Sequence, residues 1–279
     1  MVNFVAYQSV DTRDLSEIGL LQNMKKNVTR KHQGKTIDAT SGNIDMHADG
    51  NGMLFVLKKP TSGTMKAIDV TVDSNHKYYI SGLSIKLNSF NKYFKDGFEA
   101  KIFKGNDKFT GSSQSDTLAG FNGADNIKAG NGGDTVVGAN GSDKLYGEAG
   151  ADLMTGGKGS DILDGGLGTN SLTGNSGADT FRFSSQLTAS YSSITDFEVG
   201  RDTMELENAA FAGIGGKGKL GASHFFLSTD YAGEAGAVIY DKASGHLSYS
   251  VSGGPIGNAI AFGDVGINLG LSSKDFLIT

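Results

Sequence analysis

Between residues 107 and 179 an acid returns every nine residues, at Asp107, Asp116, Asp125, Asp134, Asp143, Asp152, Asp161 and Asp179, with Asn170 at the one other place on the ruler. Two residues after each stands an apolar side chain: Phe109, Leu118, Ile127, Val136, Leu145, Met154, Leu163, Leu172 and Phe181. Two residues before each lies a glycine, from Gly105 to Gly177, in every unit but the one with Gln114. Such a unit offers a carboxylate, a backbone free to curl and an anchor to bury. Repeated in phase, these parts can hold hard cations in a row through carboxylate and carbonyl oxygens. Calcium, with its flexible shell of many oxygens, suits such donors better than magnesium. The plainer reading makes the aspartates mere turn caps. It leaves unexplained why an acid is kept in eight of nine places, since Asn or Ser would cap as well.

A fixed short period means a solenoid rather than a conventional core. Six residues of each unit form a turn, which the glycines allow to curl with its carbonyl oxygens inward. The other three form a strand whose middle side chain faces the interior. Two units close one coil, so aspartates two units apart stack on the same side. Stacked strands lie about 4.8 Å apart, near enough for neighbouring carboxylates to share an ion held at about 2.3 to 2.6 Å.

The chain around these units is 279 residues long with a net charge of −5, and its 42 glycines gather in the repeats. Nothing basic is concentrated enough to mark a nucleic-acid partner. There is no cysteine, which excludes disulfides and thiolate metal sites. No apolar run approaches the ~18 residues needed to cross a bilayer, and MVNFVAYQSV has none of the parts of a cleaved secretory signal. Three segments are expected: a small β-rich domain or cap over 1–101, the repeats over 102–182, and a β region over 183–279.

In the first segment, AIDVTVDSNHKYYISGLSIKL alternates at period two around Asp73, Ser74 and Asn75, which predicts a hairpin. DLSEIGLLQNMKKN, capped by Asp14 or Ser16, predicts a short helix. In the last, SSITDFEVGRDTMELE, AVIYDKASGHLSYSV and NAIAFGDV predict strands. No pair among His32, His47, His76, His224 and His246 has the H-E-x-x-H spacing, so no zinc protease of that type is encoded. IDMHADGNGMLF begins like an EF-hand loop, but Val56 stands where the closing glutamate belongs, and a hairpin turn is expected instead. GIGGKGKL nearly spells a phosphate loop, yet Leu220 replaces the Ser or Thr that would hold magnesium; a glycine-rich loop is expected. Tyr78, Tyr79, Phe90, Tyr93, Phe94 and Phe98 read as a small β core before they read as a sugar-stacking face.

The units GFNGADNIK, AGNGGDTVV, GANGSDKLY, GEAGADLMT, GGKGSDILD, GGLGTNSLT and GNSGADTFR resemble the G-G-x-G-x-D-x-U-x nonapeptide of RTX (repeats-in-toxin) proteins. The resemblance implies an all-β chain built on a calcium-bound parallel β-roll. It implies ions held between coils by aspartates two repeats apart, pairing Asp107 with Asp125, Asp116 with Asp134, Asp125 with Asp143, Asp134 with Asp152, Asp143 with Asp161, and Asp161 with Asp179. That makes about six calcium ions, with weak or empty places near Gln114 and Asn170. Residues from ADTFRFSS to the end resemble the carboxy-terminal part of serralysin-type RTX proteins, where Asp196 and Asp202 would serve a further ion or act as plain surface acids. The family is exported unfolded by type I secretion systems of Gram-negative bacteria, read from an uncleaved carboxy-terminal signal. LSSKDFLIT looks like such an ending. The expectation is a secreted, extracellular, non-enzymatic calcium-binding protein that folds on extracellular calcium. Its partners would be the type I secretion apparatus and an extracellular polysaccharide or host surface, in matrix, adhesion or host interaction. The alternative is a carbohydrate-binding or accessory module of an extracellular hydrolase system.

Overall fold

The computed structural model describes six strands within the first 104 residues and every residue from Gly105 to Thr279 except residue 112. Apart from single 3-10 turns, the regular structure among the described residues is all strand. From Gly105 onward the nine-residue period dictates the architecture. Strands β7 (Lys108–Thr110), β9 (Asn126–Asn131), β11 (Lys144–Ala149), β13 (Ile162–Asp164) and β15 (Thr180–Phe183) line one face. Strands β8 (Thr117–Asn122), β10 (Thr135–Asn140), β12 (Leu153–Lys158) and β14 (Gly168–Ser176) line the other. Each strand pairs in parallel with the strand two units away, so Leu145 lies between Ile127 and Leu163, and Met154 between Val136 and Leu172. Two units therefore make one coil of a parallel β-roll.

Among the larger apolar side chains of the roll, those that follow each aspartate by two point fully inward, and all nine of these, from Phe109 to Phe181, are 0% exposed. Stacking them gives a narrow core two side chains wide. At the usual ~1.5 to 3 kcal/mol for each buried Leu, Ile, Val, Phe or Met, it is thin support for units of nine residues. The turns need left-handed backbone at two places. Gly141 (φ 142°) and Gly150 (φ 153°) fill one, where a Cβ would overlap the carbonyl of the coil before. The other is held by non-glycine residues at Phe121 (φ 71°), Ala139 (φ 79°), Glu148 (φ 68°) and Asn175 (φ 64°), each at a conformational cost of roughly 1 to 2 kcal/mol.

Both sheets run on past residue 182. Strand β16 (Ser190–Ile194) lies parallel on β14, and β17 (Thr203–Leu206) lies parallel on β15. Strands β22 (Ile260–Asp264) and β23 (Phe276–Ile278) then extend the same two sheets. The expected AVIYDKASGHLSYSV pair forms as the antiparallel β20 (Ala237–Tyr240) and β21 (His246–Ser250), which continue beyond β22. This end has a broader core than the roll. Phe262 meets Phe183 and Phe211 edge-on with ring centroids 5.1 Å apart, and Phe211 meets Tyr249 in the same way. One buried cluster runs from Phe109 through these rings to Ile278.

At the other end, β1 (Asn3–Ala6) lies parallel on β7 and antiparallel on β6 (Lys77–Lys86). The expected hairpin is present, with β5 (Thr64–Thr71) antiparallel to β6 and Val70 opposite Tyr78. A separate sheet joins β2 (Lys35–Asp38), β3 (Asp45–Asp49) and β4 (Gly52–Val56). Asp45, His47 and Asp49 thus sit along a hairpin strand, with Asp49 opposite Gly52, and not in a calcium loop. Residues 213–220 form a loop that includes the two-residue β18 (Gly218–Lys219), followed only by the single 3-10 turn Ala222–His224. The helix expected over 14–27 and the aromatics Phe90, Tyr93, Phe94 and Phe98 fall outside the described residues.

Candidate metal centre

Each aspartate of the repeat sits just before a strand, where the turn hands the chain to the sheet. Its backbone is tied into the ladder through its carbonyl; the Asn126 N–H, for example, donates to Asp107 O. Its side chain reaches back one coil. Asp107 N–H donates to Asp125 Oδ1, Asp125 N–H to Asp143 Oδ1, Asp143 N–H to Asp161 Oδ1 and Asp161 N–H to Asp179 Oδ1, at 2.7 to 2.8 Å. These form a first column along one edge of the roll. Along the opposite edge Asp116 N–H donates to Asp134 Oδ1, Asp134 N–H to Asp152 Oδ1, and Asp152 N–H to Asn170 Oδ1. Every aspartate pair two repeats apart is thereby brought together.

In six of these carboxylates one oxygen is thus engaged and the other is not. Oδ2 of Asp125, Asp134, Asp143, Asp152, Asp161 and Asp179 is buried without a hydrogen-bond partner, although each residue is only 1 to 2% exposed. A buried acceptor left in this condition costs about 1 to 3 kcal/mol, and a charged one more. The carboxyls respond accordingly. Burial, set against the one backbone hydrogen bond, pushes Asp125 up to about 7, with the carboxylates of Asp143 and Asp107 adding to the rise. Burial likewise lifts Asp134, Asp143, Asp152, Asp161 and Asp179 to about 6.

The glycine that opens every unit from residue 111 to 174 except that of Asp134 lets these oxygens converge. A Cβ on Gly120 would stand 2.9 Å from Gly138 O, and one on Gly138 2.7 Å from Gly156 O. Each would be closer still to the Oδ2 five residues on. Carboxylate and carbonyl oxygens of adjacent coils therefore face one small space that no side chain fills. Among the described residues no three His, Cys, Asp or Glu side chains come together as a metal cluster, so the donor set is paired aspartates plus main-chain carbonyls. An all-oxygen set with unpartnered anionic atoms fits calcium and leaves nothing to attract a thiophilic or imidazole-seeking metal. When bound, calcium supplies the positive charge that these buried carboxylates lack.

The columns end in acids of another kind. Asp202, buried at 5% exposure, takes the next place in the first column by accepting from Asp179 N–H through Oδ1. Its Oδ2 is already satisfied by Glu198 N–H. Asp196 accepts from Gly174 N–H and Asn175 N–H, and Asp275 from Gly200 N–H and Ser272 N–H. These three are caps whose oxygens are spoken for. Asp164, which follows the strand position in its unit, accepts from the Ser184 hydroxyl and Gly166 N–H.

The RTX calcium-binding nonapeptide repeat family matches this chain in four copies, at residues 103–136, 128–163, 137–172 and 155–185. The chain carries RTX calcium-binding repeats. The RTX match ends at residue 185, before most of the region likened above to serralysin-type proteins. Among curated proteins none is similar enough to match. Among solved structures the chain is similar to the solution structure of the AlgE6R3 subunit from the Azotobacter vinelandii mannuronan C5-epimerase. That likeness has 22% identity, covers 62% of this chain and 78% of that one, and has a TM-score of 0.20. At that score it carries no argument, and the β-roll rests on this chain's own strand register.

Proposed function

We propose that residues 105–182 are a calcium-driven folding element in which Asp107, Asp116, Asp125, Asp134, Asp143, Asp152, Asp161 and Asp179 hold about six ions between coils. The observation that carries this reading is the row of buried Oδ2 atoms without partners. Burying six such anions on one thin core is costly unless something positive compensates them. If each site has the ~0.1 mM affinity of extracellular modules, millimolar calcium contributes about 1.4 kcal/mol per site. Six sites then give about 8 kcal/mol, comparable with the whole stability of a domain. At the micromolar calcium of a cell interior that contribution vanishes. The chain thus suits a protein that leaves the cell unfolded, by type I secretion through its carboxy-terminal segment, and folds outside.

Its proposed role is non-enzymatic, in matrix, adhesion or host interaction, with residues 1–101 and 183–279 closing the two ends of the roll. In this reading the donor rows serve folding rather than chemistry. Limited proteolysis of the full chain tests the folding element: peptide bonds within residues 105–182 should resist trypsin in 1 mM calcium and be cut in chelator. Equal protection in both would remove the proposal. A glycan array probed with the full chain in calcium tests the adhesive role.

A further inference from the structure

Of the three positions that frame the carboxylate (the residue opening the unit, the residue two before the acid and the acid itself), the described coils depart from the repeat at three places, and all three fall on the same edge of the roll. Gln114 replaces a glycine in the unit of Asp116, and it is not among the left-handed residues, whereas its counterparts Gly132 and Gly150 are. Ala129 opens the unit of Asp134, where every other unit from residue 111 to 174 opens with glycine. Asn170 stands where an acid is expected, and directs Nδ2, a buried donor without a partner, into the space that elsewhere receives Oδ2. Asp116, Asp134, Asp152 and Asn170 are the second column, linked by the Asp116, Asp134 and Asp152 N–H groups. Each linked pair of that column therefore contains at least one departure. In the first column Gly120, Gly138, Gly156 and Gly174 accompany Asp125, Asp143, Asp161 and Asp179, and only the leading unit, that of Asp107, has another residue at this place, Ile102.

We infer that the two edges of this roll form two classes of calcium site, a tight row along Asp125, Asp143, Asp161 and Asp179 and a weak row along Asp116, Asp134 and Asp152. This rests on the calcium reading above and adds to it an order of filling. The physical grounds differ by position. The Ala129 methyl occupies the place where a Cβ on the equivalent Gly120, Gly138 or Gly147 would crowd both the carboxylate and the next coil's carbonyl. The Asn170 amide keeps the Asp152 hydrogen bond, at 3.1 Å, but presents a donor hydrogen where a cation needs an anion. A chain with unequal edges folds in two stages of calcium. The tight edge fixes the coils first, and the weak edge fills at higher concentration, so the segment responds to calcium over a wider range than six equal sites would allow.

Calcium-45 equilibrium dialysis and isothermal titration of the full chain test this, on wild type and on variants that repair the weak edge. Wild type should show two classes of site. Asn170→Asp should add one bound ion to the weak class or move it to the tight one. Ala129→Gly should tighten the weak class about fivefold, the equivalent of ~1 kcal/mol of relieved crowding. Asp143→Asn should deplete the tight class and leave the weak class in place. The repair variants restore the pattern of the neighbouring repeats, so loss of folding would itself contradict the inference. A single class of equal sites in wild type, unmoved by either repair, would overturn the two-edge account while leaving calcium binding intact. Absence of any calcium uptake by wild type would overturn the underlying reading and the inference with it.

Discussion

Replacing Asp143 by Asn should change the sign of its effect with calcium. The native chain already holds the control, because Asn170 accepts the Asp152 N–H through Oδ1 in the way Asp143 accepts the Asp125 N–H. Asp143→Asn therefore keeps the bond between coils and removes only the charge. Asp143 belongs to two linked pairs, with Asp125 and with Asp161. Loss of both sites at 1 mM calcium and ~0.1 mM affinity costs up to about 2.8 kcal/mol. In chelator the direction reverses. The Asp143 carboxyl is pushed up to about 6, chiefly by burial, so at neutral pH its ionised form opposes folding. Asn relieves this by on the order of 1 to 2 kcal/mol once screening is allowed for. Urea unfolding followed by circular dichroism in 1 mM calcium, and β content in chelator, read the two effects. Destabilisation by the same amount in both conditions would refute the reasoning, since it would make Asp143 a structural cap.

Four further outcomes follow from the same geometry. With chelator present, the raised carboxyls of Asp125, Asp134, Asp143, Asp152, Asp161 and Asp179 bind more protons folded than unfolded. The stability they lend is full below about pH 4 and is lost as pH rises through about 6 to 7, so β signal in chelator should be greater at pH 4 than at pH 8. Gly138→Ala should cost roughly 1 to 3 kcal/mol in calcium, because its Cβ would lie 2.7 Å from Gly156 O; Gly216→Ala, with nothing within 4 Å, serves as the neutral comparison in thermal melts. Ala139→Gly, at φ 79°, should raise the calcium-bound melting temperature, since relief of about 1 to 2 kcal/mol of left-handed strain exceeds the entropy that glycine adds. Leu145→Ala, at a fully buried site, should cost about 2 to 5 kcal/mol and raise the calcium midpoint of folding.

The roll was legible because one physical constraint repeats without slippage. A nine-residue ruler finds the donor, the turn and the buried anchor together, and the coils place all three where the spacing says. The same ruler fails beyond Asp179. One step on it lands on Thr188 and two steps on, where the column should continue, on Phe197, a core side chain, while the column continues at Asp202, which is 23 residues on. The loop between β15 and β17 shifts the phase, and only the backbone shows that Asp202 and Asp196 each accept main-chain hydrogen bonds through both oxygens. The three expected segments were likewise drawn from composition, which changes sharply near residue 182. Hydrogen bonding does not change there, because β16, β17, β22 and β23 need only parallel register, not glycine. The left-handed Phe121, Ala139, Glu148 and Asn175 carried no signal, since residues of such different types share only a position in the turn.

The central claim is that cations complete the buried carboxylate rows, and far-ultraviolet circular dichroism of the full chain during calcium titration tests it most directly. The account predicts a cooperative gain of β signal between about 0.1 and 1 mM calcium, absent when magnesium replaces calcium. A complete β spectrum in chelator at neutral pH, unchanged by calcium, would contradict it.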